Sequence, residues 1–374
     1  MNTEFLFEEI VIGSLKLSNR IVMSPMTRAF SPGGVPGVDV AGYYGRRAEG
    51  GVGLIVTEGT WVPHPGASNE ENVPDFHGPA LEGWSKVVKE VHAKGGKIIP
   101  QLWHAGLFTR SKIEGVYESA GSVTDVQVGP SGMVGAIGTA PVKLTREMTQ
   151  ADIDAVIEAF AQAARSAFDL GFDGVGFHGG HGYLFDQFFW DKTNLRQDRY
   201  GGDLVKRTCF ATEVLKECRT RTSADYPLMF RLSQWKLHDY GATLVNSPQE
   251  LEQFLTPLVD AGVDIFDCSQ RRFWEPAFEG SDLNLAGWVK KITGKPTMTV
   301  GSVGLDVELM ATLMGETSQP ASLDKLLAMF ERGDFDLIGV GRAILADPSW
   351  VEKVRRGAHN ELQPFNPAAL ASLS

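Results

Sequence analysis

Short apolar runs alternate with stretches of helical period from one end of the chain to the other. The runs are Ile21–Ser24, Gly53–Thr57, Ile98–Leu102, Gly174–Phe177, Leu228–Leu232, Ile265–Cys268, Thr297–Val300 and Leu337–Val340. Between them, Leu81–Ala93, Ala151–Leu170, Leu204–Arg219, Gln249–Asp260 and Leu323–Arg332 place apolar residues every three to four positions. Strand–helix alternation predicts a parallel sheet, and eight such units predict a closed (β/α)8 TIM barrel. Several runs are apolar throughout, as strands covered on both faces should be. Thr149-Gln150-Ala151-Asp152 predicts a capping box at the start of one helix, and Ser247-Pro248 a cap with an N1 proline at another. Residues 1–19 precede the first strand and are expected to form a hairpin under the barrel. Residues 105–148, rich in Gly, Ser and Val, form an excursion after strand three of the length expected for a lid or binding loop. No repeat or linker interrupts the pattern, so residues 1–374 are read as one domain.

The last two strands each end in a glycine turn: Thr299-Val300-Gly301-Ser302-Val303-Gly304 and Ile338-Gly339-Val340-Gly341-Arg342. In a parallel barrel this is where backbone N–H groups and short helix starts meet a phosphate, and Arg342 would add a fixed charge. Two tight turns with a surface arginine are the plainer alternative.

A formal charge of −11 argues against nucleic acid or an anionic membrane as the main partner. Anionic ligands must then be met by local arginines and backbone dipoles. No stretch reaches the roughly eighteen apolar residues that a membrane helix needs. The residues Met1 to Phe5 lack the basic start of a signal peptide, so a cytoplasmic setting is expected. Cys209, Cys218 and Cys268 are scattered, which supports neither a disulfide framework nor a Cys-based metal site.

Barrel chemistry sits at the carboxyl ends of the strands. Those ends carry Ser24-Pro25-Met26-Thr27-Arg28, Thr57-Glu58-Gly59-Thr60, Gln101-Leu102-Trp103-His104, His178-Gly179-Gly180-His181-Gly182-Tyr183 and Arg231-Leu232-Ser233. The His178-x-x-His181-x-Tyr183 cluster is the sharpest signal. Two imidazoles on one loop can both donate to a single oxygen, and a phenol of pKa about 10 suits delivery of a proton at neutral pH. The same pair could bind a metal, with Asp186 or His104 as a third donor. Satisfied buried imidazoles are the bland alternative. Gln101 and Arg231 end apolar strands, where polar groups need a ligand or a mutual partner; Trp103 is either packing or ligand wall. His64, His77, His92, His238 and His359 form no constellation and are read as ordinary surface or packing residues.

Taken together, Asn19 to Arg28, Gln101 to His104, His178 to Tyr183, Asp186-Gln187-Phe188, Arg196 to Gly202 and Gly341-Arg342 resemble the Old Yellow Enzyme family of FMN-dependent ene-reductases over nearly the whole chain. The resemblance implies non-covalent FMN at the barrel mouth, with Ser24, Pro25, Met26, Thr27, Gly59 and Gln101 around the ring. It implies Arg231 beside the ring's N1 and O2, and Gly301, Ser302, Gly341 and Arg342 at the phosphate. It implies a ping-pong reaction: NAD(P)H reduces the flavin, leaves, and an activated alkene takes its place. His178 and His181 would hold the substrate's carbonyl oxygen, Tyr183 would give the proton, and Trp103 and Thr27 would touch the substrate. No metal is implied.

The sequence also departs from family patterns. Ala29 stands where one subgroup has a substrate-contacting tyrosine, and no tyrosine follows Ala358, where another subgroup closes the pocket with one. Phe273, Trp274 and Phe278 are expected to supply walls with Trp103 instead. Arg271 and Arg272 would meet a carboxylate, dinucleotide phosphates or solvent. Two rivals stay open: an FMN-dependent amine or N-methyl demethylase on the same fold, and a metal-dependent barrel hydrolase or aldolase. The oligomeric state, a homo-oligomer included, is not fixed by the residues.

Overall fold

The computed structural model describes residues 3–68, 70–108, 129–131, 133–137, 140–144, 147–237 and 239–374. Strands β1 (Ile10–Ile12) and β2 (Leu15–Leu17) form an antiparallel hairpin. Its turn needs Gly13: φ is +57° there, and a Cβ would lie 2.4 Å from the Asp225 carbonyl oxygen. The chain continues through β3 (Ile21–Met23), β4 (Leu54–Trp61) and β5 (Ile98–Trp103). A second hairpin, β6 (Met133–Ile137) with β7 (Ala140–Leu144), follows. Then come β8 (Val175–His178), β9 (Leu228–Ser233), β10 (Ile265–Ser269), β11 (Thr297–Val300) and β12 (Leu337–Val340).

All strands outside the two hairpins close a parallel eight-stranded barrel in chain order, β12 pairing with β3. This is the expected (β/α)8 architecture. Side chains alternate across each strand. Val22, Leu54, Val56, Ile99, Met229, Ile265, Met298 and Leu337 point inward and pack with Ile12, Leu15 and Leu17 of the hairpin, which plugs the bottom of the barrel. Their neighbours, such as Ile55, Ile98, Phe230, Phe266 and Ile338, point outward into the helices. Burying each such side chain contributes about 1.5–3 kcal/mol.

The helix Gln150–Leu170 shows how the cover is built. Ile153, Val156, Phe160, Ala163 and Ala167 form its buried stripe, and the predicted capping box joins Thr149 and Asp152 reciprocally. Ser247 caps the helix Pro248–Asp260 by accepting from the Glu250 N–H. The helix expected over 204–219 is instead two, Leu204–Arg207 and Cys209–Arg221. Thr208 sits at the joint, its hydroxyl donating to the Val205 carbonyl, 2.6 Å.

Two further differences concern the upper rim. β4 runs on to Trp61 through a register shift between Val56 and Gly59, so Glu58 and Gly59 lie within a strand, not beyond one. The excursion at 105–148 contains β6 and β7; residues 109–128, and with them nearly half of the expected lid, lie outside the described residues, as does His238. Among the described residues no helix is long and apolar enough to cross a membrane.

Candidate active site

Above the apolar layers the same inward faces turn polar. Counting on by two from Ile99, Met229 and Ile265 gives Gln101, Arg231 and Asp267, then Ser269. In the register, His178 stands beside Arg231 and Arg231 beside Asp267, one polar layer across three strands. The layer floors a cavity of about 390 Å³ at the carboxyl ends of the strands. Glycine makes the room: a Cβ on Gly339 would lie 2.5 Å from Val300 Cγ2 and 2.6 Å from Ser24 Oγ, and one on Gly59 2.4 Å from the Trp103 ring.

Arg231 donates from Nη1 to Asp267 Oδ2 at 3.0 Å and from Nη2 to Ser269 Oγ at 3.2 Å. Its Nε is buried with no acceptor among the described residues. Burial pushes the Asp267 carboxyl up to about 6, against the opposing pull of the guanidinium. Arg231 is therefore paired, with part of its fork left over. Its partner is not Gln101, whose backbone N–H donates to Thr57 Oγ1 at 3.1 Å.

His178, His181 and Tyr183 come together on the loop after β8. The two imidazoles meet edge to face at 5.1 Å, and the Tyr183 ring lies 4.9 Å from His178. Burial is the largest cause holding both histidines well below their ordinary pKa, and Arg231 pushes the same way. Both shifts favour the neutral imidazole. His178 Nδ1 is buried without a partner among the described residues, and His181 Nε2 lies 2.9 Å from Ser269 Oγ. Trp103 closes one side, edge-on to Tyr183 at 4.8 Å; Trp235 closes the other, stacked on His181 at 4.3 Å.

The glycine turns form the opposite end. Gly301 has φ +141°, and a Cβ there would lie 2.5 Å from the Gln270 carbonyl oxygen. Ser302 takes the left-handed conformation at φ +52°. Gly341 precedes the short helix Arg342–Ala346. The Arg342 guanidinium does not hang free. Nη1 donates to Thr312 Oγ1 (2.9 Å) and the Glu308 carbonyl (3.3 Å), and Nη2 to the Val307 carbonyl (2.8 Å) and Ser302 Oγ (3.3 Å).

Every residue that the resemblance assigns to cofactor or substrate lines this cavity: Ser24 to Thr27, Gly59, Gln101, Trp103, His178, His181, Tyr183, Arg231, Gly301, Ser302, Gly341 and Arg342. The walls differ from expectation. Phe273 is buried in the core against Trp274, and Phe278 packs on Trp288; none of the three lines the cavity. Trp235, Tyr240 and Leu237 do so instead, with Leu370 from the tail. Position after β9 was the available signal for Trp235; its orientation was not legible. Arg271 faces the cavity and Tyr240, whereas Arg272 pairs with Glu275 at 2.9 Å.

The supporting residues give one more correction. His64 is not isolated: its Nδ1 lies 3.0 Å from His104 Nε2. Burial pushes His64 down to about 4 and His104 well below its usual value. Asp186, the other third donor considered for a metal, pairs with Lys236 and accepts from the Gly182 N–H. Both candidate third ligands are thus committed elsewhere. Glu58, given no role from the sequence, accepts from the N–H groups of Arg28 (2.8 Å) and Ala29 (3.0 Å) and so fixes the turn after Thr27. The Arg28 guanidinium reaches the tail, donating to the carbonyls of Ala369, Leu370 and Ser372.

Residues 5–361 match the NADH:flavin oxidoreductase / NADH oxidase family. NADH oxidase from Thermoanaerobacter brockii is 34% identical over 96% of this chain and 52% of its own length, so the chain spans about half of that relative. 12-Oxophytodienoate reductase 7 from Oryza sativa subsp. japonica is 32% identical, over 94% of this chain and 88% of that protein. Morphinone reductase, solved in complex with tetrahydroNAD, superposes with a TM-score of 0.78 at 25% identity, covering 98% of this chain and 93% of that one. The old yellow enzyme homologue of Zymomonas mobilis shares the fold, with a TM-score of 0.78 at 24% identity over 98% and 96% of the two chains. The chain belongs to the NADH:flavin oxidoreductase / NADH oxidase family, the Old Yellow Enzyme group, whose cofactor is FMN and whose reductant is NAD(P)H.

Proposed function

We propose that this chain is an ene-reductase: with FMN and NAD(P)H it reduces the activated C=C bond of α,β-unsaturated carbonyl or nitro compounds. The observation that carries the reading is the pair of buried imidazoles at His178 and His181, 5.1 Å apart and beside the Tyr183 phenol. The cavity suits FMN. Ser24 Oγ, Arg231 Nε and His178 Nδ1 are buried polar atoms without protein partners among the described residues, and Gly59 and Gly339 leave a cradle that a Cβ would fill. Pro25, Met26, Thr27, Gly59 and Gln101 would hold the ring, and Arg231 would meet its polar edge. Gly301, Ser302, Gly341 and Arg342 would hold the phosphate. Because the Arg342 fork already brackets residues 302–312, its contribution there is mainly charge. Bound FMN supplies hydride chemistry, accepting from NAD(P)H and donating to the alkene.

The protein's own side chains activate the alkene. His178 and His181 each present a neutral N–H to one carbonyl or nitro oxygen and stabilise the negative charge that builds there. One such donor is worth about 2.7–4 kcal/mol in a related setting. Tyr183 delivers a proton to the α carbon. Trp103 and Trp235 flank the pair and exclude water. One cavity has to admit nicotinamide and alkene in turn, which supports a ping-pong order. The test is anaerobic: the holoenzyme, reduced by NADPH or NADH, is mixed with 2-cyclohexen-1-one and the product identified. Cyclohexanone with flavin reoxidation is expected. No enone reduction, with formaldehyde released and the flavin reduced when the oxidised holoenzyme is given an N-methylated amine instead, would overturn the reading.

A further inference from the structure

The turn that carries His181 and Tyr183 is held by a device that the reaction does not itself use. His181 sits at φ +63°, a conformation costly for a side chain with a Cβ. The loop after β9 is zipped to it. Ser233 Oγ accepts from the His181 N–H at 2.9 Å, and the Leu237 N–H donates to the His181 carbonyl at 3.1 Å. Beneath the turn lie Lys236, 1% exposed, and Asp186, 0% exposed, joined Nζ to Oδ1. The other carboxylate oxygen of Asp186 accepts from the Gly182 N–H at 2.7 Å, between the two working residues.

A buried ion pair is a poor source of stability, because desolvating both charges offsets most of their attraction; apolar pairs of similar size often do as well. Stability alone therefore does not account for this pair. Its contacts do. Asp186 reaches the amide between His181 and Tyr183, and Lys236 belongs to the loop after β9, whose Trp235 stacks on His181. We infer that Asp186 is a positioning residue, with Lys236 as its buried counter-charge: its carboxylate fixes the Gly182 amide and so aims the His181 imidazole and the Tyr183 phenol at the same substrate. The Lys236 ammonium has a second effect, since its charge adds to the burial that keeps His181 neutral. The inference rests on the oxygen-holding role given to His178 and His181 under Proposed function.

The test uses the FMN-loaded enzyme and para-hydroxybenzaldehyde, whose phenolate, held over an electron-poor flavin, gives a long-wavelength charge-transfer band. Asp186→Leu/Lys236→Met removes both charges and the acceptor for Gly182. Asp186→Asn/Lys236→Met removes the charges but restores that acceptor. With FMN content unchanged, the Leu/Met protein should bind the phenol at least tenfold more weakly than the parent. The Asn/Met protein should return to within about threefold, a rescue that a purely structural role does not predict. Parent-like binding by the Leu/Met protein would overturn the inference, as would a loss beyond tenfold in the Asn/Met protein. If neither variant retains FMN, the pair belongs to the frame of the fold and the inference fails. If the parent itself gives no band, the failure lies with the functional reading instead.

Discussion

Glu58→Gln isolates a buried charge that the fold tolerates next to its site. The carboxyl is 1% exposed; Oε2 accepts from two backbone N–H groups, and Oε1 is buried with no partner among the described residues. Burial, the dominant cause, pushes it from 4.5 up to about 7, against the pull of those N–H groups and Arg28. A folded pKa above the unfolded one means that folding retains a proton. The associated stability is fully present below pH 4.5 and is lost as pH rises through 7. At about 1.4 kcal/mol per unit the whole loss is about 3 kcal/mol, of which about 2 falls between pH 5.5 and pH 8. Glutamine keeps an acceptor for Arg28 and Ala29 but does not ionise. Relative to the parent, the variant should therefore gain about 2 kcal/mol in urea unfolding on going from pH 5.5 to pH 8, at equal saturating FMN. Asp267 titrates in both proteins and cancels in the difference. A variant-minus-parent difference that is the same at both pH values would refute the assignment.

Three other perturbations bear on the site. His178→Ala should weaken binding of a para-substituted phenol about ten- to hundredfold, the equivalent of one hydrogen bond to a charged group, while FMN remains bound; unchanged titration curves would remove its oxygen-holding role. Tyr183→Phe should slow the alkene half-reaction by about 10² or more in stopped-flow, with flavin reduction by NAD(P)H within a few-fold of the parent; equal slowing of both would sink the proton-donor role. Gly339→Ala brings a methyl within 2.6 Å of Val300 and Ser24 and should cost about 1–3 kcal/mol and loosen FMN, read by thermal melting with and without added cofactor; a neutral melt would show that the cradle is not filled tightly.

The barrel was legible because parallel strands buried on both faces leave unmistakable apolar runs, and the plug because residues 1–19 precede the first of them. The site was legible because it continues the same inward positions past the apolar layers, as at Gln101, His178 and Arg231. What escaped depends on contacts between distant segments. Glu58 looks like a strand end, since nothing local shows that the turn at Arg28 and Ala29 will satisfy a carboxylate inside a strand. His64 and His104 are forty residues apart, and only the fold brings them into contact. Phe273 and Trp235 are both aromatic and both follow a strand end within a few residues, yet one turns to the core and the other to the cavity. That choice is made by backbone direction in irregular loops, which periodicity does not encode.

The left-handed backbone at His181 has an evolutionary consequence. Such a conformation costs roughly 1–3 kcal/mol in a residue with a β carbon, and glycine or asparagine would relieve it. A lineage screened for heat tolerance alone, with no demand for turnover, should thus accumulate replacements at this codon early, gaining folding free energy as the imidazole disappears. Thermostability engineering on this scaffold should hold position 181 fixed, because glycine, a replacement a melting assay would reward, removes the donor to which the proposed reaction assigns the substrate oxygen.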